Sequence, residues 1–465
     1  MNSKPKVQAL LFADDLVFWS ADGDIRTTQE SLNTALDALL TWSNNNEITV
    51  NTSKTVFQVF TLSTKPKAIQ LFYEDYQLQR TQEATYLGIV LDSRLSWNKQ
   101  ASRVHSTGKT RNGLLKRLSG GKLSTTQDLL CTTYKSYIRP AIEYGSELLV
   151  TASEAVQNKI ETVQNNALRI IAGGAFSTPV LAMQLQANIE PLPSRRKIGA
   201  LKLIERLKRH GDFWRNYNPA DRRLKSHPTF LHVTKELTTD FDIHSSNRQS
   251  LFETGEFIRH LRPACYNLDL VLPVNKRSCI NTELRRAALA TIGERFPETH
   301  WLHVYTGGSA TGTNHNAGAG VYSRYFSLSR AVGANCTNYD GEVAAVHMAL
   351  TEVSKREDRN IAIFIDSQAA ILAVSSVLPS RNGLVLDCQR MINSLINNGH
   401  NVTLQWVPSH CGMEGNELVD VLAVAGSALS QPDSPLGYHS VKRIIASRFK
   451  TRLREIVKNS VNGKS

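Results

Sequence analysis

Three short strand-like segments near the C-terminal end constrain the fold of this chain more than any other feature. Residues 302–306, 361–366 and 402–407 are each bounded by turn signals, and segments of helical period lie near 341–356 and 416–428. Runs of this length read as strands. Their alternation with helices predicts an α/β unit with a mixed sheet over 299–430. Within it Val346, Leu350 and Val353 share the helix face that should meet the core.

The rest of the chain divides by its patterning. Apolar runs 7–12 and 16–20 flank Asp14 and Asp15, which predicts a β-hairpin with the acids at its turn. Residues 25–46 place Leu32, Leu36, Leu39 and Leu40 on one helical face. Strands are expected at 48–50 and 56–60, and a hairpin-like stretch from Tyr86 to Trp97. From 98 to 210 the pattern becomes helical, with candidates at 99–118, 124–138, 153–172, 178–187 and 194–210. Gly120-Gly121, Gly173-Gly174 and Pro191 punctuate them. Residues 211–298 are polar and irregular, a loose connector with some helix near 282–295. A last helix, 440–458, carries Val441, Ile444, Ile445, Phe449, Leu453 and Ile456 at helical spacing within a basic tail, 431–465.

The net charge of +13 is concentrated in two places. Residues 98–216 carry 19 Lys/Arg against 8 Asp/Glu, and residues 441–465 carry 8 against 1. Such blocks on a near-neutral body point to a polyanionic partner. Arg195, Arg196 and Lys197 fall on one predicted helix and are candidate phosphate contacts. The bland alternative is a solvated basic face. The six cysteines form no Cys-x-x-Cys pair, so a reduced intracellular compartment is the simplest reading, with nucleus or cytoplasm left open. Asp14 and Asp15 interrupt the apolar run at the N-terminus, which argues against a signal peptide. No stretch reaches the roughly 20 apolar residues of a membrane helix, and no membrane partner is expected.

The acids of the C-terminal unit sit where elements begin or end. Glu342 falls in the first turn of a predicted helix, with Asp340 just outside it. Asp366 ends an apolar strand, and Asp420 lies on the helix after a glycine-containing loop that holds His410. Singly, these are ordinary: a Glu at a helix start is a dipole partner and an Asp after a strand is a turn former. As a series they are specific. Thr306-Gly307-Gly308-Ser309, Glu342, Ile365-Asp366-Ser367, Trp406-Val407-Pro408-Ser409-His410 and Gly415-Asn416-Glu417 through Asp420 resemble the type-1 ribonuclease H domain, which cuts the RNA strand of an RNA–DNA hybrid. Phe12-Ala13-Asp14-Asp15 resembles the paired-aspartate turn of a reverse transcriptase. Lys54 resembles the lysine of its next palm motif, and Tyr86 through Trp97 its primer grip. Ile138-Arg139-Pro140, Tyr144 through Glu147 and Gln164 through Ile171 resemble thumb and post-thumb helices. Together the chain resembles the C-terminal part of a non-LTR retrotransposon reverse transcriptase of the jockey or R1 type.

The resemblance implies an α/β ribonuclease H-like domain at 299–430, with a mixed sheet and flanking helices. It is preceded by a partial α+β palm at 1–97, an α-helical thumb-like region at 98–210 and the connector. It implies Mg²⁺ or Mn²⁺ as cofactor and an RNA–DNA hybrid or duplex as partner. Glu342, Asp366 and Asp420 take the metal-ligand role, as do Asp14 and Asp15 at the polymerase end. His410 takes a role in proton transfer or product release, and Asn416 and Lys54 contact nucleic acid. Only 11 residues precede Phe12, so the fingers and an earlier palm aspartate are expected to be missing from this chain. One departure matters as much as the match. Where the ribonuclease H family has an aspartate shared by both metals, this chain has Gly307, and no acid lies between Leu302 and Tyr339. Two-metal phosphodiester hydrolysis is thus expected by descent and impaired in fact. The alternative is a non-catalytic nucleic-acid-binding protein or an inactive element relic.

Overall fold

The computed structural model describes residues 7–21, 24–61, 63, 68–120, 125–210, 228–243, 248–249, 261–262, 264–274, 279–311 and 315–462. Gly121, the start of the helix expected from 124, and parts of the connector (211–227, 244–247, 250–260, 263 and 275–278) lie outside the described residues. The described residues form two compact units. One comprises 7–197 and 228–233, the other 198–210 and 234–462. The division falls inside helix Leu192–Leu207.

In the first unit, strands Gln8–Phe12 and Asp15–Trp19 pair antiparallel, with Phe12 opposite Asp15. Helix Ile25–Asn45 follows, opened by Asp24, whose carboxylate accepts the Arg26 N–H. A small cluster of Leu36, Leu71, Tyr73 and Leu78 holds this part together. The strand expected at 48–50 does not form. Glu47 takes a left-handed φ of 55°, and the segment runs on without ladder partners. Hairpin Glu83–Tyr86 and Ile89–Asp92 turns through Leu87 and Gly88, both at positive φ. That double requirement is why glycine stands at 88. Helices Asn98–Leu118 and Glu154–Ala172 then build a separate core around Ile138, Ile142, Ile160 and Leu168. The single helix expected over 124–138 is broken. Gln127–Thr133 is α-helical, and Tyr134–Ile138 widens to a π turn in which the Arg139 N–H donates five residues back to Tyr134 O. Pro140, which offers no N–H, is the physical reason.

The second unit contains one six-stranded sheet; its elements are numbered here in chain order. They are β1 (Cys265–Asn267), α1 (Asn281–Arg295), β2 (Leu302–Thr311), β3 (His315–Ser323), β4 (Phe326–Gly333), α2 (Asn338–Val353), β5 (Asn360–Ile365), α3 (Gln368–Val374), α4 (Gly383–Asn397), β6 (Asn401–Trp406), α5 (Glu414–Ala428) and α6 (Tyr438–Asn462). The sheet order is β4-β3-β2-β5-β6-β1. Strands β2, β3 and β4 are antiparallel; β5, β6 and β1 run parallel to β2. This is the expected mixed sheet. Strand β5, within its parallel half, reads as continuous apolar sequence because helices cover both faces. Ile361 to Ile365 are all essentially inaccessible, as are Val346, Leu350 and Val353 beneath them. The connector is less loose than its composition suggests. It supplies edge strand β1, paired with β6, and helix α1, whose Leu284, Ala287, Ala288 and Ile292 join the main core. Among the described residues no helix is long and apolar enough to cross a membrane.

Helix α5 lies unusually close to the sheet. A Cβ on Gly320 would stand 2.6 Å from Val419 O and 2.7 Å from Ala423 N, and one on Gly318 would collide with the backbone of Ala423 and Ser427. The glycines of β3 therefore set the height of α5. Gly320→Ala should cost at least about 1–3 kcal/mol, because backbone atoms cannot yield to the methyl. Gly293→Ala, at an exposed position of helix α1 with nothing within 4 Å of its Cβ position, should stabilise by about 0.5–1 kcal/mol. Thermal unfolding of the two variants checks both. A neutral Gly320→Ala would show that the approach of α5 is slack.

Candidate functional site

The sheet and two helices bring three of the predicted acids to one edge. Helix α2 begins three residues earlier than the sequence suggests, so Glu342 sits in its second turn and is 3% exposed. The start of α2 can press against β2 because both partners lack side chains there. A Cβ on Gly308 would strike Glu342 N and Gly341 C. Asp366 follows β5 directly, and its carbonyl accepts the indole N–H of Trp406 at 3.2 Å. Val407 N–H donates to Ile365 O at 3.0 Å, so the ends of β5 and β6 are tied together at the site. Asp420 and Asn416 stand one turn apart on α5, which places them on one face of that helix.

The electrostatics follow from burial without a counter-charge. Desolvation pushes the Glu342 carboxyl well above the usual carboxylate range. The neighbouring Asp366, with which it shares a hydrogen bond, adds to the shift, and the Gly308 backbone amide opposes it. Burial also raises Asp420, with Asp366 contributing and His410 opposing. Glu342 Oε2 and Asn416 Nδ2 are buried with no hydrogen-bond partner. His410 is largely exposed at a left-handed φ of 53°, its Nδ1 3.0 Å from Asp420 Oδ2. Its loop is held by Cys411 Sγ donating to Pro408 O and by Gly412 N–H donating to Glu417 Oε1.

These acids do not make a preformed metal cage. Among the described residues no group of three or more His, Cys, Asp or Glu side chains is placed to hold a metal ion. At position 307 the backbone of β2 passes close to Asp420 Oδ1, 3.7 Å from the Cβ position, and offers no ligand. Asp340 is not outside the helix but at its third position. Its carboxylate accepts from Thr337 N–H and Thr337 Oγ1 at 2.7 Å each, and from Ser440 Oγ at 3.3 Å. It caps α2 and is not available to replace a ligand.

Other predicted residues stand elsewhere. Asp14 and Asp15 are exposed at the hairpin tip, and Lys54 is exposed beyond an Asn51-based turn. The phosphate-contact role expected for Arg195 and Arg196 is corrected by their surroundings. Arg196 is 2% exposed, bonded to Gln157 and Glu161; Arg195 is held by Glu143 and Glu190. These guanidiniums satisfy internal carboxylates, and only Lys197 of the three is exposed. Sequence reasoning missed Val419 and Gly308. The adjacent glycines 307 and 308 were the available signal for a close approach on both faces of β2.

The raised Glu342 carboxyl has a pH signature. A group protonated more readily in the folded state contributes stability that is complete below its unfolded value near 4.5. That contribution is lost as pH rises through the folded value. Glu342→Gln should therefore gain on the unmodified protein as pH rises from about 4.5 towards neutrality. Urea midpoints at the two ends of that range measure it; an identical gap at both would contradict the burial argument.

With the geometry in place, comparison with known proteins is informative. The RNase H family model matches residues 299–428. A ribonuclease H of Ruthia magnifica is 31% identical over 137 residues, 26% of this chain and 90% of that one. RNA-directed DNA polymerases from the mobile element jockey of Drosophila melanogaster and Drosophila funebris are each 23% identical over 199 residues. Those matches cover 43% of this chain and 22% of each relative. The chain thus spans less than a quarter of the length of these polymerases. A 31% identity across nine-tenths of a ribonuclease H, on the expected mixed sheet, is decisive for the fold: the chain belongs to the ribonuclease H family, in the company of non-LTR retrotransposon RNA-directed DNA polymerases of the jockey kind.

Proposed function

We propose that the ribonuclease H domain of this chain binds RNA–DNA hybrid and cuts its RNA strand poorly, as part of a retrotransposon-derived polymerase lineage. The observation that carries this reading is Gly307, which has no side chain at a place where a Cβ would lie 3.7 Å from Asp420 Oδ1. Hydrolysis by this family rests on divalent metal ions held by carboxylates of separate elements. The residues present do not form such a holder, so no step is assigned to a metal here. What remains is a hydrogen-bonded carboxyl pair, Glu342 and Asp366, and an exposed His410 able to pass a proton to or from Asp420. Losing about 4 kcal/mol of transition-state stabilisation would already slow cutting roughly a thousandfold.

Binding does not need the missing ligand. Helix α6 docks through Val441, Ile445 and Phe449, the last stacked on Phe241 at 3.8 Å between ring centroids. Lys450, Arg454 and Lys458 then recur every fourth residue on an exposed stripe. Arg448 pairs with Asp242, so it contributes less free charge. A stripe of this kind suits phosphates and reads no sequence. Asp14, Asp15 and Lys54 support descent from a polymerase palm, and polymerisation is assigned to the longer relatives.

Hybrid binding by the full chain should fall steeply with salt. Replacing Lys450, Arg454 and Lys458 together by Gln should reduce the log–log salt slope by about 2–3, near 0.9 per lost contact. Labelled hybrid should stay largely uncut in Mg²⁺ under the same conditions. A flat salt titration, or rapid Mg²⁺-dependent cutting by the unmodified chain, would defeat the reading.

A further inference from the structure

A Cβ built at position 307 would lie 2.5 Å from Val419 Cγ1, its nearest neighbour. Carbon atoms in contact stand about 3.5–4.0 Å apart. The methyl thus occupies space that any side chain at 307 would need. It cannot swing aside easily. Val419 is fully buried on α5, and a β-branched residue within a helix is confined to one strongly preferred rotamer. Nor can α5 be displaced towards Gly320, where Val419 O and Ala423 N already approach too closely for a Cβ. The obstruction therefore lies in a packed helix face and not in a mobile side-chain end. It stands beside Asp420, at the point where a fourth carboxylate would have to enter the cluster.

We infer that Gly307 and Val419 are one packing unit that closes the acid cluster of Glu342, Asp366 and Asp420 to a divalent cation, so that the domain engages hybrid without metal. The second clause rests on the hybrid-binding reading above; the closure itself does not. Loss of the ligand and filling of its place are two changes, and reversing the first alone leaves the second in force. Gly307→Asp by itself must push Val419 out of the core before its carboxylate can reach the cluster. Val419→Ala removes the obstruction and supplies the missing room.

Two measurements on the full chain test this. In thermal unfolding, Gly307→Ala should lower the midpoint clearly in the unmodified background and little or not at all in a Val419→Ala background. Equal losses in both backgrounds would overturn the packing unit. In Mn²⁺ titrations followed by electron paramagnetic resonance, the unmodified chain should show no site that Asp366→Asn removes. The double variant Gly307→Asp, Val419→Ala should gain such a site with at least tenfold tighter binding than Gly307→Asp alone. An Asp366-dependent Mn²⁺ site in the unmodified chain, or equal binding by the single and double variants, would overturn the closure. If the double variant does not fold, the Ala series and the unmodified chain still decide. Hybrid affinity in EDTA is a separate reading: its absence would refute hybrid binding while leaving both results above untouched.

Discussion

The close approach of helix α5 to strands β2 and β3 governs the second unit. Glycines at 318 and 320 let helix backbone rest almost on sheet backbone, which no β-carbon would permit, and Gly307 leaves room for the Val419 side chain. That contact fixes the height and rotation of α5, and so delivers Asp420 to the edge where Asp366 leaves β5 and Glu342 rises on α2. The same principle works on the other face of β2, where Gly308 and Gly341 bring the start of α2 against the strand. The acids meet because backbones are allowed to meet. The interior of a protein is too well packed for such approaches to be approximate.

The consequence is a cluster of carboxyls with little to neutralise it. Burial, with the charge and hydrogen bonding of neighbouring Asp366, raises Glu342. His410, whose Nδ1 lies 3.0 Å from Asp420 Oδ2, is itself largely exposed to solvent. A proton can relieve this charge where the fold family uses metal ions. Val419 fits the same picture: helix and strand are complementary across position 307, which is what a packed core does around an absent side chain.

Much of this was legible in the residues. Strand β5 carries an uninterrupted apolar run from Ile361 to Ile365, and Asp366, Trp406, His410 and Asp420 stand at spacings that few folds share. The mixed sheet and the core faces of α2 followed from period alone. Other features could not be read that way. Strand β1 is three residues long and owes its existence to β6, so no local pattern announces it. Arg195 and Arg196 look like a phosphate-binding patch until Glu143, Glu161 and Glu190 are brought beside them in space. Asp340 reads as loop until Thr337 is seen to open the helix three residues early. Val419 is the sharpest case. A valine on the buried face of a helix is ordinary, and only the distance to an imagined Cβ at 307 gives it meaning.

The account turns on whether the acids are correctly arranged and merely deprived of one ligand and its room. The most direct measurement is single-turnover cleavage of an RNA-labelled hybrid in Mg²⁺ by the Gly307→Asp, Val419→Ala chain against the unmodified chain. The account predicts a gain of roughly a thousandfold, the equivalent of about 4 kcal/mol in the barrier, and loss of that gain when Asp366→Asn is added. Cutting by the unmodified chain as fast as by the double variant would contradict it.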